Sequence, residues 1–447
     1  MADRKAISLA DHFDDRKLLR FTSHSILTMI FTSIYGIVDG FFVSNYAGEV
    51  AFAALNLVMP LLMLIAAVGF MFGTGGVALV SLKLGQKEER QAKEIFSLTT
   101  YTLMVLGILL SLLGYLFAPQ AAVLLGASEE LIPYSVLYAR ISMVSMTAFM
   151  LQHFFQSFLI AAERPRMGFW ITVIAGVTNM ILDYVFVAGF GLGLAGAAWA
   201  TVGSELVGGL VPLVFFILPN KTPLRLGKTG WMPWALVKTC TNGSSEFLSN
   251  AAASFIGMLY NRQLLCYMGT NGIAAYGVIM YVNFIFVGIF FGYAMGVSPI
   301  ISYQYGARNQ AELRNLFRRS LSLLAGASLI LTLLAELSAG LLAGIFVGYN
   351  PQLYALTVRG MRIYSVAYLF MGFNIFGSAL FTALGNGKVS AVLSLVRSVL
   401  LQVVLVLLLP LILGGTSLWM IAALVETGAI LLTGFLVTRY REKYRLY

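Results

Sequence analysis

Apolar stretches of about 20 residues, the length that crosses a bilayer core, begin near Thr22, Leu55, Phe96, Ile132, Met167 and Leu194. They begin again near Gly243, Ile273, Phe317, Tyr354, Val389 and Leu418. No other feature restricts the fold as tightly. In water, 447 residues would divide into two or three cores. Here 59% of residues are hydrophobic and only 11% charged, where soluble chains carry about 25% charge. Too little polar sequence remains to cover a soluble surface, so most of the chain must be solvated by lipid. The expectation is an all-α polytopic membrane protein with twelve transmembrane helices in two six-helix lobes.

The two lobes are copies. Tyr46, Gly48, Ala53, Ala54, Met59, Gly75, Ser81, Gly85 and Phe96 recur, all at one ungapped offset, as Tyr267, Gly269, Ala274, Ala275, Met280, Gly296, Ser302, Gly306 and Phe317. After one extra residue the match resumes, with Arg140-Ile141 against Arg362-Ile363. Six helices per copy is an even number, so the copies share one orientation and are related by a pseudo-twofold along the membrane normal. That arrangement places a cavity between the lobes. The boundaries read as an N-terminal tail over 1–20, a first lobe over 21–218, a linker over 219–242, a second lobe over 243–438 and a tail over 439–447.

The formal charge of +10 is explained by topology. Lys and Arg concentrate in the tails and the even-numbered connections, and the odd-numbered ones, such as 45–49 and 119–130, contain none. By the positive-inside rule both termini are cytoplasmic, in a multi-pass protein of the cell membrane. No basic residues alternate with aromatics as a nucleic-acid groove requires, so nucleic acid is not an expected partner. Residues 1–20 mix acids and bases without an apolar core and read as a soluble tail, not a signal peptide. Cys240 and Cys266 fall at opposite ends of helix 7, about 39 Å apart along the axis, beyond disulfide reach.

An ionisable residue inside a spanning helix is costly and marks a functional candidate. Asp39 on helix 1 and Asp183 on helix 5 both lie about 24–26 Å up from the cytoplasmic end of a core about 30 Å thick. Tyr138 on helix 4 and Thr201 on helix 6 reach the same layer, and Asn179 stands one turn below Asp183. Two carboxylates, an amide oxygen and a hydroxyl suit a small hard cation; the carboxylates could equally share one proton. The coupling ion is left open between Na⁺ and H⁺. Two structural alternatives stand beside this reading: Asp39 as the cap of a helix broken at Gly40, and Asp183 paired with Arg140.

The second lobe lacks this layer, since Tyr260, Leu401 and Leu405 stand where Asp39, Asn179 and Asp183 do in the first. Glu205 and Glu426 occupy matching places and read as braces for helices 6 and 12 or as cavity residues. Glu246 opens helix 7, where a carboxylate favours the helix dipole, or lines the cytoplasmic mouth. Gln152, His153 and Gln156 on helix 4 are further candidates for the substrate cavity, and Glu336 reads as solvated. The 19 Met and 32 Phe supply an adaptable apolar lining. No nucleotide-binding, metal or nucleophile motif is present, so no enzyme activity and no cofactor are expected. Transport energy must then come from an ion gradient.

The segment YGIVDGFFVSNYAG around Asp39, the following AFAALNLVMP, the paired loops GQKEERQAKEIF and GARNQAELRNLF, and NMILD ending at Asp183 resemble the multidrug and toxic compound extrusion (MATE) family. NGSSEFLSNAAAS and LYNRQLL bring the chain closest to its bacterial MepA-like subgroup. The resemblance covers all twelve helices. It implies an antiporter that expels cationic or amphipathic organic compounds in exchange for Na⁺ or H⁺ by rocking two lobes, working as a monomer in the bilayer. The family's cation site falls on Asp39, Asn179, Asp183 and Thr201, with Tyr138 nearby. Two departures stand out: His24 replaces a proline associated with bending of helix 1, and helices 7 and 10 lack the acids of a second cation site, helix 10 reading Phe373-Asn374. The alternatives are a flippase for a lipid-linked precursor, an exporter of one narrow metabolite, or a receptor. The last is disfavoured because no connection between helices is long enough to hold a separate domain.

Overall fold

The computed structural model describes residues 7–446, so residues 1–6 and 447 of the two tails lie outside it. Every element among the described residues is helical. The first lobe contains α1 (Asp15–Phe42), α2 (Glu49–Gly85), α3 (Glu89–Leu116), α4 (Leu131–Ala161), α5 (Pro165–Gly189) and α6 (Gly193–Ile217). A short helix, Ala118–Leu124, lies in the α3–α4 connection. The second lobe begins with an unbroken helical assignment over Pro233–Gly306, too long for one span at 74 residues. Gly269 interrupts it with φ 64° and ψ −157°, and the rings of Tyr260 and Tyr276 stack at 4.9 Å. Sixteen residues of straight helix would separate those rings by about 24 Å, so the chain folds back at Gly269 into α7 (233–268) and α8 (270–306). The remaining helices are α9 (Gln310–Val347), α10 (Pro351–Ser365 and Tyr368–Ala383, bent by 47°), α11 (Gly387–Leu413) and α12 (Gly415–Tyr444). Twelve spans result, each starting within ten residues of the position expected from hydropathy.

The repeat identities acquire physical causes here. Gly48 and Gly269 both have positive φ, 92° and 64°, at the turns between the first two helices of each lobe, where a side chain would be strained. Gly85 presses against the carbonyl of Tyr303, and Gly306 against that of Leu82. Those four residues are two repeat pairs, so the pseudo-twofold passes between the ends of α2 and α8. In lipid, helices associate through small residues that let backbones approach, and a methyl at either glycine would collide with main chain.

Among the described residues, the close inter-lobe contacts lie in the half of the molecule that carries both ends of the chain. Asp15 pairs with Arg319 at 2.7 Å and the Arg445 carbonyl accepts from Arg314, so both chain ends meet the first turns of α9. From there the α1 stripe Thr22, Ile26, Met29 and Ser33 follows α8 along Gly296, Gly292, Gly288 and Phe284, ending with Ser33 Oγ donating to the Phe284 carbonyl at 3.2 Å. The same stripes continue to Gly36 and Gly40 on α1 and to Gly277 on α8, and none of these has a neighbour within 4 Å of where a Cβ would stand. The lobes part beyond Ser33, leaving a cleft open at the face away from the termini.

Residues 8–14, expected as part of a free tail, are instead strapped across the closed end. Ser8 Oγ and the Leu9 N–H both donate to Glu163 of the first lobe. On the second lobe, Gln304 donates to the Leu9 carbonyl, the Phe13 N–H donates to Glu312, and Asn315 donates to the Phe13 carbonyl. Leu9 and Phe13 are 1% and 0% exposed. Average polarity hid two apolar anchors in a charged segment. The expected linker shrinks likewise: α7 begins at Pro233, and residues 224–229 lie along α3 through Gly227 and Thr229. At the other end, α12 continues through Tyr444, so most of the expected 439–447 tail is helix.

Candidate functional site

In the outer half of the first lobe, three of the residues gathered by depth, Asp39, Asp183 and Asn179, come within reach of one another. Asp39, on α1, has its carboxyl within hydrogen-bond reach of Asp183 and of the Asn179 amide, both on α5. Asp183 is 0% exposed and Asn179 2%. Asp39 Oδ1, Asn179 Oδ1 and both Asp183 oxygens are buried without any hydrogen-bond donor. Two carboxylates at that distance repel unless a proton or a cation stands between them. The arrangement can therefore hold a proton or a small cation between the two carboxyls.

Tyr138 of α4 is fully buried within electrostatic reach of Asp39, Asp183 and Glu205, and its hydroxyl bonds Ser142. Thr201 is one turn before Glu205 on α6; its hydroxyl is buried and bonds none of the other candidates. Glu205 accepts from Ser145 Oγ and lies within electrostatic reach of Asp39. Sequence reasoning missed Tyr35, one helical turn before Asp39, which lies near Glu205 and Asp39 and bonds Gln152. The spacing of four residues was the available signal. Among the described residues no group of three or more His, Cys, Asp or Glu is placed to hold a metal ion. Na⁺ would therefore depend on the neutral oxygens of Asn179 and Thr201 beside the two aspartates.

Both structural alternatives lose support. α1 runs without interruption through Gly40 to Phe42, so Asp39 caps no break. Arg140 turns away from Asp183, its guanidinium lying 5.3 Å from the Tyr115 ring centre. The unbroken α1 also carries His24, whose ring meets Phe169 edge-on at 6.4 Å.

The remaining cavity candidates separate. His153 is stacked on Phe70 at 3.9 Å and held edge-on by Phe149, inside the first lobe. Gln152 is buried against Gly208 and Tyr35. Gln156 donates to Thr172 and borders a small pocket with Ser25, Thr28 and Met295, where α1, α4 and α8 meet. Glu246 stands one turn beyond Gly243, which presses on the Met71 carbonyl of the first lobe. Its carboxylate thus lies at the inter-lobe contact, with Arg397 in electrostatic reach. Glu336, expected in solvent, accepts from Ser365 Oγ at 2.6 Å and faces Arg362 at 4.0 Å.

Glu426 is bound on every side. Arg397 of α11 pairs with it at 2.7 Å, Asn374 of α10 donates to it at 2.7 Å, and Thr433 donates to Asn374 at 3.0 Å. At the second lobe's counterpart of the aspartate layer, Tyr260 donates to the Leu418 carbonyl and stacks on Tyr276.

Comparison with known proteins agrees with this architecture. The family model MatE matches residues 25–185 and again 247–408, one match per lobe. The multidrug export protein MepA of Staphylococcus haemolyticus is 24% identical over 442 residues, covering 97% of this chain and 96% of its own. MepA of Staphylococcus saprophyticus is 23% identical over 399 residues, covering 87% and 86%. Among solved structures, the outward-facing conformation of a multidrug resistance MATE family transporter superposes over the full length of both chains with a TM-score of 0.92 at 19% identity. At that identity the likeness concerns the fold.

Proposed function

The chain belongs to the MatE family of membrane transporters, and on that premise we propose that it is a secondary active exporter of cationic or amphipathic organic compounds, driven by inward movement of H⁺ or Na⁺. The observation that carries this reading is the meeting of Asp39 and Asp183 in one lobe, with both oxygens of buried Asp183 and one of Asp39 lacking a hydrogen-bond partner. The staphylococcal relatives are multidrug exporters by name, and the apolar, Met- and Phe-rich composition suits a pocket that accepts many shapes.

With the basic ends in the cytoplasm, the cleft opens outward and the glycine seam of α2 and α8 closes the inner side. A proton or Na⁺ arriving from outside binds between Asp39 and Asp183, relieves their mutual repulsion and changes the packing of α1, α5 and α6. That change shifts the balance between outward- and inward-facing states, which differ in their affinity for the cation. The two lobes of one chain form the whole cleft, so a monomer suffices. The flippase alternative needs a free cation for a lipid pyrophosphate, and mid-membrane Arg397 is committed to Glu426.

The reading is tested by transport of ethidium into the lumen of inverted vesicles, with a Na⁺ gradient and a pH gradient imposed separately. One gradient should drive export by the wild type, and Asp39→Asn should be inactive at normal expression. Unchanged export by Asp39→Asn would sink the proposal.

A further inference from the structure

Glu205 and Glu426 occupy matching places at similar depth in α6 and α12, one position out of the offset that relates Arg140 to Arg362. Their surroundings differ in one respect. Glu205 meets a hydroxyl, that of Ser145, and among the described residues no cationic side chain pairs with it. Glu426 receives a guanidinium: Arg397 Nη2 lies 2.7 Å from Oε1, and Nε lies 2.9 and 3.1 Å from the two oxygens. Asn374 completes the shell, donating to Oε2 and to the Glu426 carbonyl. A bidentate guanidinium with a further amide donor satisfies a carboxylate as fully as a bound cation does. At the repeat position of Arg397 the first lobe has Ala175.

The charge count follows the same division. The first lobe buries Asp39, Asp183 and Glu205 with Arg140 turned away to Tyr115, and so depends on cations from solution. In the second, Arg397 is faced by Glu426 from α12, Glu246 from α7 and the Tyr364 hydroxyl from α10. Of these only Glu426 forms an ion pair with it. The pair is nearly sealed, the side chains being 22% and 4% exposed. Arg397 is anchored by its own backbone and cannot leave with a gradient.

We propose that Arg397 is a tethered cation that takes, at Glu426, the place an exchangeable cation has in the first lobe, and so keeps the second lobe out of cation exchange. This rests on cation-coupled export as read above and adds to it which lobe exchanges. Removal of the guanidinium should turn Glu426 into a carboxylate that must take a cation from solution.

The test is a count of exchangeable cations on the purified full-length protein, as protons released on an alkaline jump and as bound ²²Na⁺. The background is Asp39→Asn/Asp183→Asn/Glu205→Gln, which removes the first lobe's buried acids without requiring turnover. Adding Arg397→Gln should raise the count by one, and adding Glu426→Gln as well should return it to the background value. A count unmoved by Arg397→Gln in protein that remains monodisperse overturns the proposal, because a purely structural pair would change stability and not stoichiometry. If Arg397→Gln alone proves unstable, Arg397→Lys provides the second reading: a tethered ammonium should keep the count at the background value, and a raised count overturns the inference. Failure of the underlying reading is seen separately, as wild-type export by Asp39→Asn.

Discussion

In the first lobe, carboxylates from α1 and α5 lie against each other with no donor on either Asp183 oxygen. In the second, a tyrosine and two leucines fill the corresponding places, and the buried acid Glu426 is held by an arginine and an asparagine. Duplication produced two equal scaffolds, and the glycine contacts that join them remained reciprocal. The chemistry did not remain so. Symmetry survives where the copies must touch and is lost at the buried acids, which is the pattern expected if one copy suffices for the proposed coupling.

The comparison is broken most severely by the largest expected effect. Asp39→Asn and Asp183→Asn should each lower gradient-driven ethidium export to the level of empty vesicles, whereas Tyr260→Phe in the second lobe should leave it intact. Equal loss from Tyr260→Phe would show that both layers couple. The seam is the control, because there the lobes should respond alike. Gly85→Ala and Gly306→Ala each drive a methyl into main chain, overpacking that costs about 1–3 kcal/mol. The population should shift by roughly 5- to 150-fold toward the state with the seam open, seen as labelling of cysteines placed at the terminal end of the cleft. Next comes stability: Glu426→Gln strands a buried guanidinium and should lower unfolding stability by about 3–5 kcal/mol. Glu205→Gln, which keeps a partner for Ser145, should cost about 1 kcal/mol. The smallest effect is expected of Arg140→Gln, which removes a contact with Tyr115 worth about 0.5–1 kcal/mol and should leave export unchanged; a marked loss of export would restore its pairing with Asp183.

Much of this was legible in the chain. Twelve apolar segments and one constant offset were sufficient for the lobes, and a residue count from each helix start placed Asp39, Asp183, Asn179 and Tyr138 in one layer. Depth follows from counting, but direction around the helix does not. Arg140 lies in the right layer and faces Tyr115, and Thr201 shares the layer without bonding its occupants. The Arg397–Glu426 pair joins α11 to α12 across 29 residues, a side-chain meeting that periodicity does not encode. Leu9 and Phe13 were invisible for a different reason, being two apolar residues among charges whose partners are almost 300 positions away.

That separation bears on how the molecule is assembled. Leu9 and Phe13 leave the ribosome long before Gln304, Glu312 and Asn315, and closing a loop of that length is slow compared with packing neighbouring helices. The first lobe can therefore insert while its leading segment waits, with its two apolar side chains short of their second-lobe partners. Docking of that segment becomes a late event that reports completion of the second lobe. A ribosome stalled between α6 and α9 should leave residues 8–14 open to protease, and release of the finished chain should protect them.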